Sequence, residues 1–153
     1  MLATFITIIC IILDQFTKHL VVQNLKNNPP MVIIDNFLTF TYLENTGAAF
    51  GILKNRRWIF ILITIISIFL ISYILFKYKN KLQTINTIAL SLILGGAIGN
   101  LIDRIRLGYV VDFVSMRFFN RYNFAVFNLA DTFVVIGSII IIIFILFSDV
   151  REK

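Results

Sequence analysis

Six of the eight acidic residues in this chain are aspartates, and two of them stand where a carboxylate is hard to explain. Asp112 lies in "VVDF", flanked by Val110, Val111 and Phe113 with no basic neighbour. Asp131 ends "FNLAD" and opens the apolar run from Phe127 to Phe147, "FNLADTFVVIGSIIIIIFILF". A charge near the bilayer centre costs about 2.5–3.5 kcal/mol on insertion scales. Each acid must therefore sit near an interface, be compensated, or be kept for chemistry. They are nineteen positions apart, too far to share a helical turn. One precedes the last apolar run by a loop and the other opens it, so both can reach the same depth. Two carboxylates sharing one proton can do acid–base work: the ionised one activates water and the neutral one polarises a carbonyl. Such a dyad needs no metal.

Other chemistries find little support. The only histidine is His19, beside Lys18, which reads as an interfacial residue, and no HExxH pattern occurs. The single cysteine, Cys10, lies mid-span; it cannot form an intrachain disulfide and reads as a small apolar packing residue. No serine sits in a recognisable nucleophile setting. No metal or cofactor is expected.

The remaining polar residues have structural readings. Asp14 and Lys18 are spaced i,i+4 and face one another on a helix, as a self-compensating pair near the membrane surface; Lys18 can alternatively snorkel to phosphates. "GGAIGNLIDR" supplies Gly95, Gly96 and Gly99 for close helix approach. Asn100, Asp103 and Arg104 follow on one face, where Asp103 beside Arg104 reads first as an ion pair. Asn128 and Asp131 share one face of a helix entrance. Capping explains one of them more easily than both. Asp35 belongs to a turn and Asp149 to a solvated tail.

These residues must be positioned by elements that lipid permits. Of 153 residues, 59% are hydrophobic, against roughly 45–50% in soluble domains, and the mean hydropathy is +0.91. The expectation is an all-α integral membrane protein, one membrane-embedded domain over residues 1–153. Four transmembrane helices are expected at about 2–22, 58–76, 85–102 and 127–147, with both termini on one side. The first span has no basic n-region beyond Met1 and no small-residue cleavage site, so it reads as retained rather than cleaved. Pro29-Pro30 ends helix, and the β-branched and aromatic residues of 31–53 predict a small surface β-sheet and loop on one face. The connection at about 103–126 reads as a loop with interfacial aromatics. The lysine-dense turn "KYKNK" favours the cytoplasm, although five basic residues fall on that side and eight on the other. The net charge of +6 suits anionic headgroups and not nucleic acid.

Five blocks together carry a resemblance: "DQFTK" at 14–18, "ENTGAAFGIL" at 44–53, "GGAIGNLIDR" at 95–104, "VVDF" at 110–113 and "FNLAD" at 127–131. In order and spacing they resemble the lipoprotein signal peptidase (signal peptidase II) family of bacterial intramembrane aspartyl peptidases. That resemblance implies an extracytoplasmic sheet cradling substrate, and cleavage of a prolipoprotein just before its diacylglyceryl-modified cysteine. It implies a bacterial inner-membrane protein with cytoplasmic termini; contact with membrane lipids and a monomeric state are expected beside it. Asp112 and Asp131 match the family's catalytic aspartates; Asp14, Lys18, Asn45, Gly47, Asn100, Asp103, Arg104 and Asn128 match substrate-binding or supporting positions. Two departures, Ala125 for a frequent proline and Thr132 for a frequent serine, affect loop stiffness more than chemistry.

In the expected mechanism one carboxylate takes a proton from water while the other donates to the scissile carbonyl. Asn128 and Asn100 hold acids and substrate backbone. Arg104 holds Asp103 or meets substrate, and loop 36–53 closes over the site. The rival readings are a proton-coupled transporter, which would spread its acids across the bilayer depth, and a non-catalytic scaffold.

Overall fold

A computed structural model describes residues 1–47, 56–118 and 122–148 of the chain. Helix α1 covers Leu2–Leu25, α2 Arg57–Lys77, α3 Thr84–Arg106 and α4 Leu129–Ser148. All four are long and apolar enough to cross a membrane. Between them lie β1 (Met31–Ile34), β2 (Leu38–Asn45), β3 (Val110–Phe118) and β4 (Tyr122–Asn123), in one antiparallel sheet of order β1-β2-β3-β4.

Helix α3 is the centre of the bundle, packing against α1, α2 and α4, whereas α2 leans almost entirely on α3. Its small residues make this possible, because helices in lipid gain from close backbone approach rather than from apolar burial. A Cβ on Gly95 would lie 2.5 Å from Cys10 Cβ of α1, and one on Gly96 would strike the Ala130 carbonyl oxygen of α4. Cys10 is accordingly a buried packing residue. The outward faces, such as Phe5, Ile12 and Phe16 of α1, are exposed for lipid.

The sheet caps one end of this bundle. Val111 and Phe113 of β3 pack on Val21 near the end of α1, with Phe40, Tyr42 and Tyr109 around them. Asp35 lies in the β1–β2 turn, where Asn36 takes φ 59°, a left-handed geometry that asparagine tolerates.

Two sequence expectations need correction. The connection read as an interfacial loop over 103–126 contains β3 and β4. Residues Val110, Val111, Asp112 and Phe113 are all buried, so the strand lies covered on both faces and shows no alternation to read. Helix α3 also runs on to Arg106. Its polar end looks like loop in sequence, yet Asp103 turns inward, and Arg104 and Arg106 suit the negative end of the helix dipole.

Candidate active site

Asp112 is placed by β3. The backbone N–H groups of Phe113 and Val114 both donate to the Phe127 carbonyl, at 3.0 and 2.8 Å, and Phe127 N–H donates back to Val114. This clasp brings the start of α4 against the strand. Asp112 is 1% exposed. Its Oδ1 accepts from Asn128 Nδ2 at 2.7 Å and its Oδ2 from Asn45 Nδ2 at 2.7 Å. Asn45, at the end of β2, uses its own Oδ1 to accept Gly47 N–H, which turns its amino group toward Asp112. Burial pushes the Asp112 carboxyl up to about 6; the Asp131 charge adds to the shift, and the amides of Asn45 and Asn128 oppose it.

Asn128 and Asp131 form a reciprocal cap on α4. Asp131 N–H donates to Asn128 Oδ1 at 2.9 Å, and Asn128 N–H donates to Asp131 Oδ2 at 3.2 Å. This is a capping box with an aspartate in the returning position. Capping therefore involves both residues, contrary to the expectation that it would explain one. It does not exhaust them. Asn128 Nδ2 remains for Asp112, and Asp131 Oδ1 accepts from Asn100 Nδ2 at 2.8 Å.

Lys18 sets the polarity of that last contact. Its ammonium lies 2.9 Å from Asp14 Oδ2, 3.0 Å from Asp103 Oδ2 and 2.9 Å from Asn100 Oδ1. Asn100 Oδ1 also accepts from Asn128 Nδ2, so its amino group must point at Asp131. The carboxylates flanking Lys18 hold backbone in turn. Asp14 Oδ1 accepts Ala130 N–H of α4 at 3.0 Å, and Asp103 Oδ2 accepts Val111 N–H of β3 at 3.1 Å. One ionic cluster thus ties α1, α3, β3 and α4 together.

The Asp14–Lys18 pair is real but buried, Asp14 at 0% and Lys18 at 3%, so it is not a surface pair and Lys18 does not snorkel. Asp103 pairs with Lys18, not with Arg104. Arg104 makes no salt bridge to a described carboxylate, and its guanidinium lies over the Phe60 ring at 5.2 Å. Gln15 escaped the sequence reading. Its amide donates to Asp103 Oδ1 at 3.0 Å and to Asp14 Oδ2 and the Gly99 carbonyl at 3.2 Å. Only its place inside "DQFTK" signals it.

Asp112 and Asp131 line one cavity of about 520 Å³ with Asn45, Gly47, Asn100 and Arg104, walled by Phe60 and Val134. Its lining comes from α2, α3, α4 and the sheet. Asp131 is half-buried and reachable through it. Among the described residues no three His, Cys, Asp or Glu side chains gather in a metal-holding group. Asp14, Asp103, Asp112 and Asp131 belong to one connected network at one end of the spans, which forms a site and not a path across the bilayer.

Comparison with known proteins finds close relatives of the whole chain. The sequence profile described as "Signal peptidase (SPase) II" matches residues 6–147. A lipoprotein signal peptidase of Clostridium tetani is 45% identical over 147 residues, 96% of this chain and 94% of that protein. One from Clostridioides difficile is 41% identical over the full length of both. A solved bacterial membrane enzyme, determined by the in meso method at 2.3 Å, superposes with a TM-score of 0.88 at 36% identity, covering 99% of this chain and 91% of the other. A second, at 1.9 Å, gives 0.82 at 37% identity, covering 94% and 92%. With its aspartates gathered beneath a small sheet at the end of four spans, the chain belongs to the signal peptidase II family.

Proposed function

We propose that this multi-pass bacterial membrane protein cleaves signal peptides from prolipoproteins, with Asp112 and Asp131 as the dyad that activates water. One observation carries the site assignment: the two carboxylates face a single cavity, tied to one another through Asn128, and neither forms a salt bridge with a described cation. All four of their oxygens accept from amides, which orient the pair without fixing its charge.

The substrate's signal helix enters between α2 and α4, its acyl chains remaining in lipid. One carboxylate removes a proton from water while its partner donates to the scissile carbonyl, giving a gem-diol intermediate. Collapse of that intermediate returns the proton to the leaving amine. Asn45, Asn100 and Asn128 hold the acids through this exchange, and Gly47 lets the substrate backbone approach. Arg104, which makes no salt bridge to Asp103, is available to the substrate. Lys18, Asp14 and Asp103 act one step further out by fixing Asn100 and the start of α4. The expected loop over 36–53 falls partly on residues 48–53, outside the described residues.

The same reading puts both termini in the cytoplasm, supported by the lysine-dense α2–α3 turn. It also has the chain act as a monomer in contact with lipid, binding no nucleic acid and using no metal. The test is cleavage of a diacylglyceryl-modified precursor beside its unlipidated form, with and without a chelator. Cleavage confined to the lipidated form and indifferent to chelation supports the reading. Equal cleavage of both forms, or inhibition reversed by one specific metal, overturns it.

A further inference from the structure

A second cavity, of about 540 Å³, lies at the opposite end of the bundle from the aspartates. Helices α1 and α2 flank α3 there without packing closely on each other, and α3 forms the floor. Thr4 and Ile8 of α1 face Ser72 and Phe76 of α2 across Thr87 of α3, with Lys79 of the α2–α3 turn at the rim. The volume falls within the usual range for a ligand pocket.

Three features identify the occupant. The first is length: the lining along α3 runs from Thr84 to Leu94, about 15 Å of helix, half of a hydrocarbon core roughly 30 Å thick. That is the depth of one leaflet. The second is an apolar wall, made by Leu2, Ile8, Leu75, Phe76 and Leu94, along which an acyl chain can lie. The third is charge. Lys79 is the only charged side chain in the lining and makes no salt bridge to a described residue. Neighbouring Lys77 is already engaged, donating to Tyr73 Oη at 2.7 Å and lying over the rings of Tyr73 and Tyr78. The first turn of α3, with no side-chain cap from Gln83, adds the positive end of its dipole on the same side.

We propose that this groove binds one anionic glycerophospholipid, its phosphodiester on Lys79 and an acyl chain laid along α3 between α1 and α2. The lipid fills the gap that α1 and α2 leave open, at the end of the bundle remote from the dyad.

The experiment measures lipid retained by the purified full-length protein in native mass spectrometry, with phosphatidylglycerol and phosphatidylcholine of matched chains. Preferential retention of phosphatidylglycerol is expected. Lys79→Gln lowers that retention about fivefold, the equivalent of ~1 kcal/mol for one basic residue at an anionic surface. Lys81→Gln, in the same turn but outside the lining, leaves it unchanged. Thr87→Phe, which fills the floor, lowers retention of both lipids. Equal retention of the two lipids overturns the proposal, as does equal sensitivity to Lys79→Gln and Lys81→Gln, or displacement of the lipid by inorganic phosphate alone.

Discussion

Replacing Lys18 by methionine tests whether charge or packing holds the bundle around its site. The ammonium lies within 3.0 Å of two carboxylates, Asp14 and Asp103, and all three groups are at most 5% exposed. Their formal charge is −1; without Lys18 it becomes −2 in a space that water does not reach. Breaking one buried pair costs about 3–5 kcal/mol, mostly because the abandoned charge stays buried. Two charges are abandoned here, so that range is the least to expect. At roughly 2–4 °C per kcal/mol for a chain of this size, Lys18→Met should melt on the order of 10 °C below wild type. Asp14→Asn and Asp103→Asn each leave a balanced pair and should cost less. Adding Asp14→Asn to Lys18→Met should recover stability by about 0.5–3 kcal/mol, the usual range of coupling between contacting residues. Thermal unfolding in detergent reads this directly through the sole cysteine, since Cys10 is buried at 3% and becomes reactive to a thiol dye on unfolding. A Lys18→Met protein melting within about 2 °C of wild type, or a double variant less stable than the single, would refute the reasoning.

The folded chain holds the Asp112 proton more tightly than the unfolded chain, since its pKa rises from the usual 3.8 to about 6. Stability should therefore fall as pH rises from about 4 to about 6 and level off above, by on the order of 3 kcal/mol; melting curves of wild type across that window should show a decline that Asp112→Asn lacks. Gly96→Val drives a side chain into the Ala130 carbonyl, so stability should drop by about 1–3 kcal/mol, and cleavage should collapse because Asp131 is the next residue; wild-type cleavage by this variant would contradict the packing account. Asn128→Ala removes a helix cap worth ~1 kcal/mol and donors to Asp112 and Asn100. Cleavage should fall about 10–100-fold, as for lost hydrogen bonds to charged groups, while the melting point moves only a few degrees.

How much of this was legible in sequence depends on whether a residue's partner lies close along the chain. The four spans announce themselves through apolar length, and the glycines of "GGAIGNLIDR" through their spacing. Asp14 and Lys18 are one helical turn apart and were readable as a pair. The partner that completes their cluster, Asp103, lies 85 positions from Lys18, and its adjacent Arg104 offered a plausible local mate instead. Strand β3 was hidden because burial on both faces erases alternation. The capping box was half-visible: "NLAD" has the spacing, but nothing local shows that the same two side chains also reach Asp112 and Asn100. Gln15 carried no signal of its own, because its three acceptors come from two helices.

The account rests on Asp112 and Asp131 working as one unit, and cleavage of a lipidated precursor by three variants measures that directly. Groups that act together lose nearly everything when either is removed. Asp112→Asn, Asp131→Asn and the double variant should all be folded, membrane-inserted and equally inactive. Substantial cleavage by either single variant, or single losses that multiply to give the double, would contradict it.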